Sequence, residues 1–563
     1  MKTDEFKLHI IEKIIDEIGA EGVDESMLET PPEPTLGDYA FPCFTLAKRL
    51  KKAPPKIAEW IKSKIAPDET IERVENAGPY VNFFVKKEML AKTVLKEVFE
   101  KKEKYGSCNI GNGAKVVIDF SHPNIAKPFG IGHLRSTVIG NSLYKIFNFT
   151  GYKSIGVNHL GDWGTQFGKL IVAYKRWGDD KQLNDQPITH LFNIYVKFHQ
   201  EAKIDPGLDD EARAWFKKLE DGDKEAFALW ELFKGLSLEE FKKYYKELDI
   251  DFDSWLGEAF YNDKIDTIVD MLKKKKLLVE SEGAQVIEVG EEMPPGMVIK
   301  SDGASTYLTR DIAAALYRIH EYKPAKLLYV VGAPQKLHFR QLFKIIELIG
   351  ERKCDLVHAD FGHYHGMSTR EGNIIFLEEV LDKAIQLAKK IIQEKNPDLK
   401  GKDEVAKQVG IGAIIFGDLV NDRIRDLEFS WDKILNFEGE TGPYIQYAHA
   451  RICSILRKYG KSTSGVLDIK YDILVEEIEK DIIKKIYNFN QAICDAADQY
   501  KPSIIAKYLI DLGQTFNTFY NICPVLKSGD EELTRARVFL CAAVRQVLAN
   551  GLYLLGMKTP EEM

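Results

Sequence analysis

The peptide Ser121-His-Pro-Asn-Ile-Ala-Lys-Pro-Phe-Gly-Ile-Gly-His-Leu-Arg-Ser136 constrains the fold more than any other part of the chain. Ahead of it, Lys115-Val-Val-Ile-Asp-Phe120 reads as a short buried strand. Behind it, Leu134, Val138, Ile139, Leu143, Ile146 and Phe147 recur at helical spacing until Gly151. The peptide is therefore a strand-to-helix connection with the shape of a nucleotide-holding loop. Gly130 and Gly132 let the backbone pass close to a ligand, and the first-turn N–H groups and His133 face any anion at the helix N-terminus. A bare Gly-x-Gly-His turn is equally well a tight connection without a ligand, so the surrounding residues have to decide.

A chain of 563 residues exceeds what one core supports, and three or four domains are expected. The spacing of Phe6, Ile10, Ile11, Ile14, Ile15 and Ile18 predicts an amphipathic helix and not a signal peptide. The longest apolar run, Val409 to Val420, is too short to span a bilayer. Seven scattered cysteines without a C-x-x-C pair point to a reducing cytoplasm, no disulfide framework and no structural zinc. His363 and His365 read as loop residues, because no third ligand accompanies them, and no metal site is expected. The net charge of -8 runs against a nucleic-acid partner, yet Lys48-Arg-Leu-Lys-Lys52 with Lys56, and Arg423, Arg425, Arg451, Arg457 and Lys458, form local basic clusters. Each cluster alone is equally a solvated helix face.

Four units are expected: 1–112, mixed helix and strand; 113–355, alternating strands and helices, with a charged helical insertion over about 170–290 containing Trp215, Trp230 and Trp255; 356–437, a linking region; and 438–563, almost purely helical. The alternation in the second unit predicts a doubly wound parallel sheet built from Val116 to Phe120, Ser154 to Val157, Leu327 to Val331 and Leu356 to Ala359. In the last unit Ile452, Ile455, Phe489 and Phe516 are expected in the core. The fold class is thus multidomain α/β, with a Rossmann-type catalytic core, an N-terminal α+β domain and a C-terminal all-α bundle.

The stretch from Ser121 to Ser136 resembles the first signature of class I aminoacyl-tRNA synthetases in its arginyl form, with Gly130 in the place of the first histidine of the "HIGH" box. The second signature is degenerate: in His365-Gly-Met-Ser-Thr-Arg-Glu-Gly-Asn373, Gly366 and Thr369 stand where "KMSKS" has lysines, and Met367, Ser368 and Arg370 remain. Pro31-Pro-Glu-Pro34, Leu36-Gly-Asp-Tyr-Ala40 and Ala53-Pro-Pro-Lys-Ile-Ala58 look like that family's N-terminal domain, which contacts the outer corner of the tRNA. The helical end, after Glu438-Gly-Glu-Thr-Gly-Pro-Tyr444, is similar to its anticodon-binding domain. The insertion resembles the connective insertion of class I enzymes and is too short for a large editing domain.

The resemblance implies arginine–tRNA ligase chemistry: ATP activates L-arginine to arginyl-adenylate, and the arginyl group passes to the 3′-terminal adenosine of tRNA(Arg). It implies ATP and Mg²⁺ as cofactors, a cytoplasmic monomer and no membrane partner. Catalytic roles fall by resemblance to His133, Lys127 and Arg370, with Lys127 standing in for the missing signature lysine. Arginine binding falls to Asp119, His122, Asn124, His133, Tyr307, Asp311 and Gln335; His122 stands where serine is commoner. ATP binding falls to Gly130, Gly132, His133, His338, Met367 and Ser368. Tyr307 and Asp311 are four apart on one helix face, as a pocket for a guanidinium needs, although Asp311 ahead of Ile-Ala-Ala-Ala-Leu also reads as a helix cap. Two alternatives remain: a small-molecule nucleotidyltransferase of the same superfamily, and a non-catalytic tRNA-binding paralogue.

Overall fold

The computed structural model describes residues 4–19, 22–31, 33–365, 376–428, 430–462 and 469–563. Met367, Ser368 and Arg370 of the second signature lie outside the described residues. The chain divides into two compact units. One comprises Ile110–Tyr447, Asp495–Lys507 and Gly551–Met563; the other comprises Met1–Asn109, Ala448–Cys494 and Tyr508–Asn550.

The first of these is built on a four-stranded sheet in the order Asp355–His358, Lys326–Tyr329, Lys115–Asp119, Lys153–Val157, with every pairing parallel. All four expected strands form, each shifted by one or two residues. Val116, Val117, Ile118, Leu327 and Leu328 are fully buried, the near-continuous apolar character of a parallel sheet covered on both faces. From the two central strands the chain leaves in opposite directions. Lys115–Asp119 runs through helix Ile131–Phe149 to one edge strand, and Lys326–Tyr329 runs through helix Lys336–Ile349 to the other. Their carboxyl ends therefore flank the point where strand order reverses, which is where open α/β sheets leave a crevice for ligands.

Helix Ile131–Phe149 lies directly on the sheet at Gly140, where an added Cβ would stand 2.2 Å from Phe120 Cγ. Gly140→Ala is expected to lower stability by about 1–3 kcal/mol through overpacking. An unchanged thermal midpoint would contradict that close approach.

The insertion consists of helices Thr165–Trp177, Asp180–Asp185, Pro187–Glu201, Gly207–Glu220, Lys224–Leu248 and Ile265–Lys274, and it buries Trp215 and Trp230. It ends in a three-stranded antiparallel sheet, Leu278–Ser281, Ala284–Ile287 and Gly296–Ile299, where only helix was expected. The tight turn at Glu282 (φ 51°) and Gly283 (φ 79°) accounts for the hairpin, since two consecutive left-handed residues match the strand twist.

In the other unit, helix Glu5–Ile18 is capped by Asp4, whose carboxylate accepts from the Phe6 and Lys7 N–H groups, and it buries Phe6, Ile10, Ile11 and Ile14. A three-stranded antiparallel sheet, Tyr39–Pro42, Tyr80–Val85 and Ile71–Ala77, lies in the same segment. Within the unit, Tyr105 Oη donates to the Ile486 carbonyl (3.0 Å), and buried Arg537 donates to Glu479 Oε1 (2.7 Å). Ile452, Ile455, Phe489 and Phe516 are buried as expected. No helix among the described residues is long and apolar enough to cross a membrane.

Candidate active site

Beyond Asp119, at the crevice, the backbone enters the left-handed region at Ser121 (φ 82°), His122 (φ 54°) and Ala126 (φ 58°). Side-chained residues hold such conformations only when their surroundings impose them, at about 1–3 kcal/mol each. The surroundings here are specific. Ser121 N–H donates to Ser136 Oγ (2.9 Å), and that hydroxyl donates to the Val330 carbonyl (2.6 Å). Ser121 Oγ lies 2.7 Å from Thr137 Oγ1 and 2.6 Å from Tyr245 Oη, and Ala126 N–H donates to Ser237 Oγ (2.9 Å). Asn124 bridges to Gly161, where a Cβ would stand 2.4 Å from Asn124 Oδ1, so the glycine leaves room for the amide. The loop is thus fixed before any ligand arrives.

Gly130 begins the signature helix without a side-chain cap, and the His133 N–H donates back to the Gly130 carbonyl (3.0 Å). It pairs with Phe376 across an antiparallel bridge, and Leu377 N–H donates to the Phe129 carbonyl (2.8 Å). Gly132 is exposed, with open space where a Cβ would be.

The charges around the loop are paired unevenly. His122 Nε2 lies 2.8 Å from Asp119 Oδ1, and Arg318 donates to Asp119 Oδ2 at 2.7 Å. Burial opposes ionisation of Asp119, but Arg318 and then His122 hold its carboxyl well below the usual range. A substrate guanidinium at Asp119 would have to share an oxygen with Arg318 or with His122. His133 Nδ1 is buried without a hydrogen-bond partner, and burial first, then the charge of His122, pushes the imidazole down to about 4. His133 is therefore neutral at pH 7 and could meet an anion only as a hydrogen-bond donor. Lys127, half-buried with its ammonium 5.8 Å from the Tyr195 ring centroid, supplies positive charge beside it.

Across the crevice, helix Tyr307–Tyr322 is capped by Thr306, in a capping box with Thr309. Asp311 is thus not the cap; it sits in the second turn and receives His338 Nε2 at 2.6 Å. Tyr307, one turn earlier, is 68% exposed, and Gln335 is exposed at the end of the turn Ala333–Gln335. Reasoning from sequence missed Glu258. Its Oε2 is buried without a hydrogen-bond partner, and its carboxyl is pushed up to about 7 by burial, with Arg310 opposing and Asp311 and Asp162 adding to the rise. No spacing rule marks it; the one local signal is the preceding Gly257, where a Cβ would stand 2.4 Å from Asp162 Oδ1. The geometry offers a strained, prebuilt loop with anion donors on one side and two carboxylates, Asp311 and Glu258, on the other.

Comparison with known proteins places the chain in a family. Residues 94–431 match the model for the class I (R) tRNA synthetase catalytic domain, 445–563 the DALR anticodon binding domain, and 6–85 the arginyl tRNA synthetase N-terminal domain. The arginine–tRNA ligase of Alkaliphilus metalliredigens is 49% identical over 99% of this chain and 100% of its own length, and that of Clostridium beijerinckii 52% identical over 96% of both. The chain belongs to the class I arginyl-tRNA synthetases. Solved arginyl-tRNA synthetases agree: the Thermus thermophilus enzyme superposes with a TM-score of 0.81 at 25% identity, covering 99% of this chain and 100% of its own. The Plasmodium falciparum enzyme does so at 0.80 and 28%, covering 99% of each.

In this arginyl-tRNA synthetase the structure brings Asp119, His122, Asn124, Lys127, Gly130, Gly132 and His133 together on one loop and helix end. His338, expected on the ATP side, is bonded to Asp311, expected on the arginine side. Among the described residues no group of three or more His, Cys, Asp or Glu could hold a metal ion.

Proposed function

We propose that the chain is an arginine–tRNA ligase that activates L-arginine with ATP and transfers it to the 3′-terminal adenosine of tRNA(Arg). The observation that carries this reading is Glu258, whose Oε2 is buried without a hydrogen-bond partner and whose carboxyl feels the charge of Asp311, beside a preorganised loop. A guanidinium is held best by carboxylates, and its planar fork uses two acceptors at once. The arginine carboxylate attacks the α-phosphorus of ATP, pyrophosphate leaves, and the terminal ribose hydroxyl of the tRNA then attacks the adenylate carbonyl. No protein nucleophile takes part; Lys127, His133 and the helix N-terminus orient and neutralise the phosphates. Among the described residues no group fits a protein-built metal site, so Mg²⁺ would enter with ATP as its counter-ion. A monomer and the four-domain division at 112, 355 and 437 are part of the same proposal.

The test is arginine-dependent charging of tRNA(Arg), together with ATP–pyrophosphate exchange with and without tRNA. A nucleotidyltransferase would make pyrophosphate without charging, and a paralogue would do neither. Charging with arginine alone among the amino acids is the expected result.

A pH dependence follows from Glu258. With its carboxyl raised to about 7, this group stabilises the ligand-free protein most below the ordinary glutamate value, and that contribution is lost as pH rises through 7. A bound guanidinium reverses the preference, because it favours the carboxylate. Arginine KM is therefore expected to rise as pH falls below about 7, and Glu258→Gln should flatten that part of the profile. A wild-type profile without the rise would remove Glu258 from the pocket.

A further inference from the structure

Two residues beyond His133 on the signature helix stands Arg135, roughly 200° around the axis, so the two side chains leave opposite faces. Arg135 is 1% exposed. Its Nη1 donates to the carbonyls of Gly362 (2.6 Å) and Arg425 (2.8 Å), and its Nε lies 3.4 Å from Asp418 Oδ2. Asp418, also 1% exposed, receives the Tyr364 hydroxyl on the same oxygen at 2.5 Å.

Segment 361–365 is tied down from several directions. Ala333 N–H donates to the Phe361 carbonyl (2.9 Å), which fixes the segment to the Gln335 turn. Gly362 N–H donates to the Arg423 carbonyl (2.9 Å), and Tyr364–His365 pairs in parallel with Leu427–Glu428. A Cβ at Gly362 would lie 2.6 Å from the Arg425 carbonyl oxygen, so the two backbones meet with no space to spare. Arg135 inserts Nη1 at that junction, and this one nitrogen donates to both backbones.

We propose that Arg135 is a positioning residue for adenylate formation: it sets segment 361–365, which leads into the second signature, in register with the helix that carries His133. This rests on the ligase reading above. Stability alone is a poor reason for such a group. A buried ion pair contributes little net stability compared with apolar residues of similar volume, and Arg135 Nε and Nη2 and Asp418 Oδ1 lack hydrogen-bond partners. What the guanidinium supplies is one rigid plane that holds Nη1 on two chain segments and Nε toward a carboxylate, a geometry that lysine does not reproduce.

The experiment uses the full chain, with aminoacylation kinetics of Arg135→Lys and Tyr364→Phe and thermal unfolding to verify folding. Arg135→Lys keeps the charge and loses the fork. Its kcat is expected to fall about 10- to 100-fold, the scale of a misplacement near 1 Å, with arginine KM within about twofold, since Asp311, Glu258 and Asn124 lie on other segments. Unchanged kcat in the folded variant, or an arginine KM that rises as much as kcat falls, overturns the proposal. Should Arg135→Lys not fold, Tyr364→Phe decides: it removes one hydroxyl, and about a threefold loss of kcat at constant arginine KM supports the proposal while no loss overturns it. If the wild-type chain fails to charge tRNA with arginine, it is the ligase reading that falls.

Discussion

Asp311→Asn is expected to raise arginine KM by roughly 30- to 150-fold, about 2–3 kcal/mol, while leaving the thermal midpoint nearly unchanged. The two halves of this expectation have separate grounds. Asp311 is part-exposed, its side chain 29% accessible, so the charge it offers a guanidinium is worth less than in a fully buried pair. It remains a hydrogen-bonded carboxylate whose second partner, His338, holds it in place. Thr306 and Thr309 cap the helix, so the fold has no need of Asp311 at its N-terminus. A cap residue would show the reverse pattern, with stability lost and KM kept. The measurement is arginine KM and kcat at saturating ATP and tRNA, beside a melting curve. An Asp311→Asn protein with the wild-type KM would take Asp311 out of substrate binding. Comparing lysine as substrate sharpens the result, because an ammonium loses less than a planar fork when one acceptor goes.

What could be read from the sequence was local. The strand, the glycine-bearing turn and the helix after it follow from apolar runs and 3.6-residue spacing within one stretch, and each of the four sheet strands is a short apolar run of the same kind. The common face of Tyr307 and Asp311 needs only helical geometry. What escaped depends on residues far apart in the chain. The pairing of Asp119 was one such feature, because nothing in its neighbourhood shows that Arg318, a helix and the whole insertion later, is buried against it. Glu258 sits in a turn without periodicity, and only burial beside Asp162 and Asp311 makes its carboxyl unusual. The loop strain was hidden for the same reason. Ser121, His122 and Ala126 are not glycines, and their left-handed backbones are imposed by Ser136, Ser237 and Tyr245, two of them brought in by the insertion.

Lys127→Ala is expected to lower kcat for adenylate formation about 10²–10³-fold, the effect of losing one preorganised charge at a transition state, with a smaller change in ATP KM. The argument begins with what else the loop can offer. His133, pushed down to about 4 by burial and by the charge of His122, carries no charge at pH 7, so it can donate a hydrogen bond to a phosphate but cannot neutralise one. At the second signature the sequence has Gly366 and Thr369 at the lysine positions, which leaves Arg370 as its one cation there. Charge builds on the triphosphate as the α-phosphorus bond to pyrophosphate breaks, and Lys127 is the cation that the strained loop holds next to the helix N-terminus. Lys127 is only half-buried, so its removal should leave the melting curve where it is. Lys127→Arg keeps the charge in a different shape and should recover part of the rate. Restoring lysine at Thr369 in the Lys127→Ala background tests substitution of one cation for the other. Single-turnover adenylate formation with tRNA present separates chemistry from product release. A rise in ATP KM with kcat intact would show that Lys127 only holds ground-state ATP.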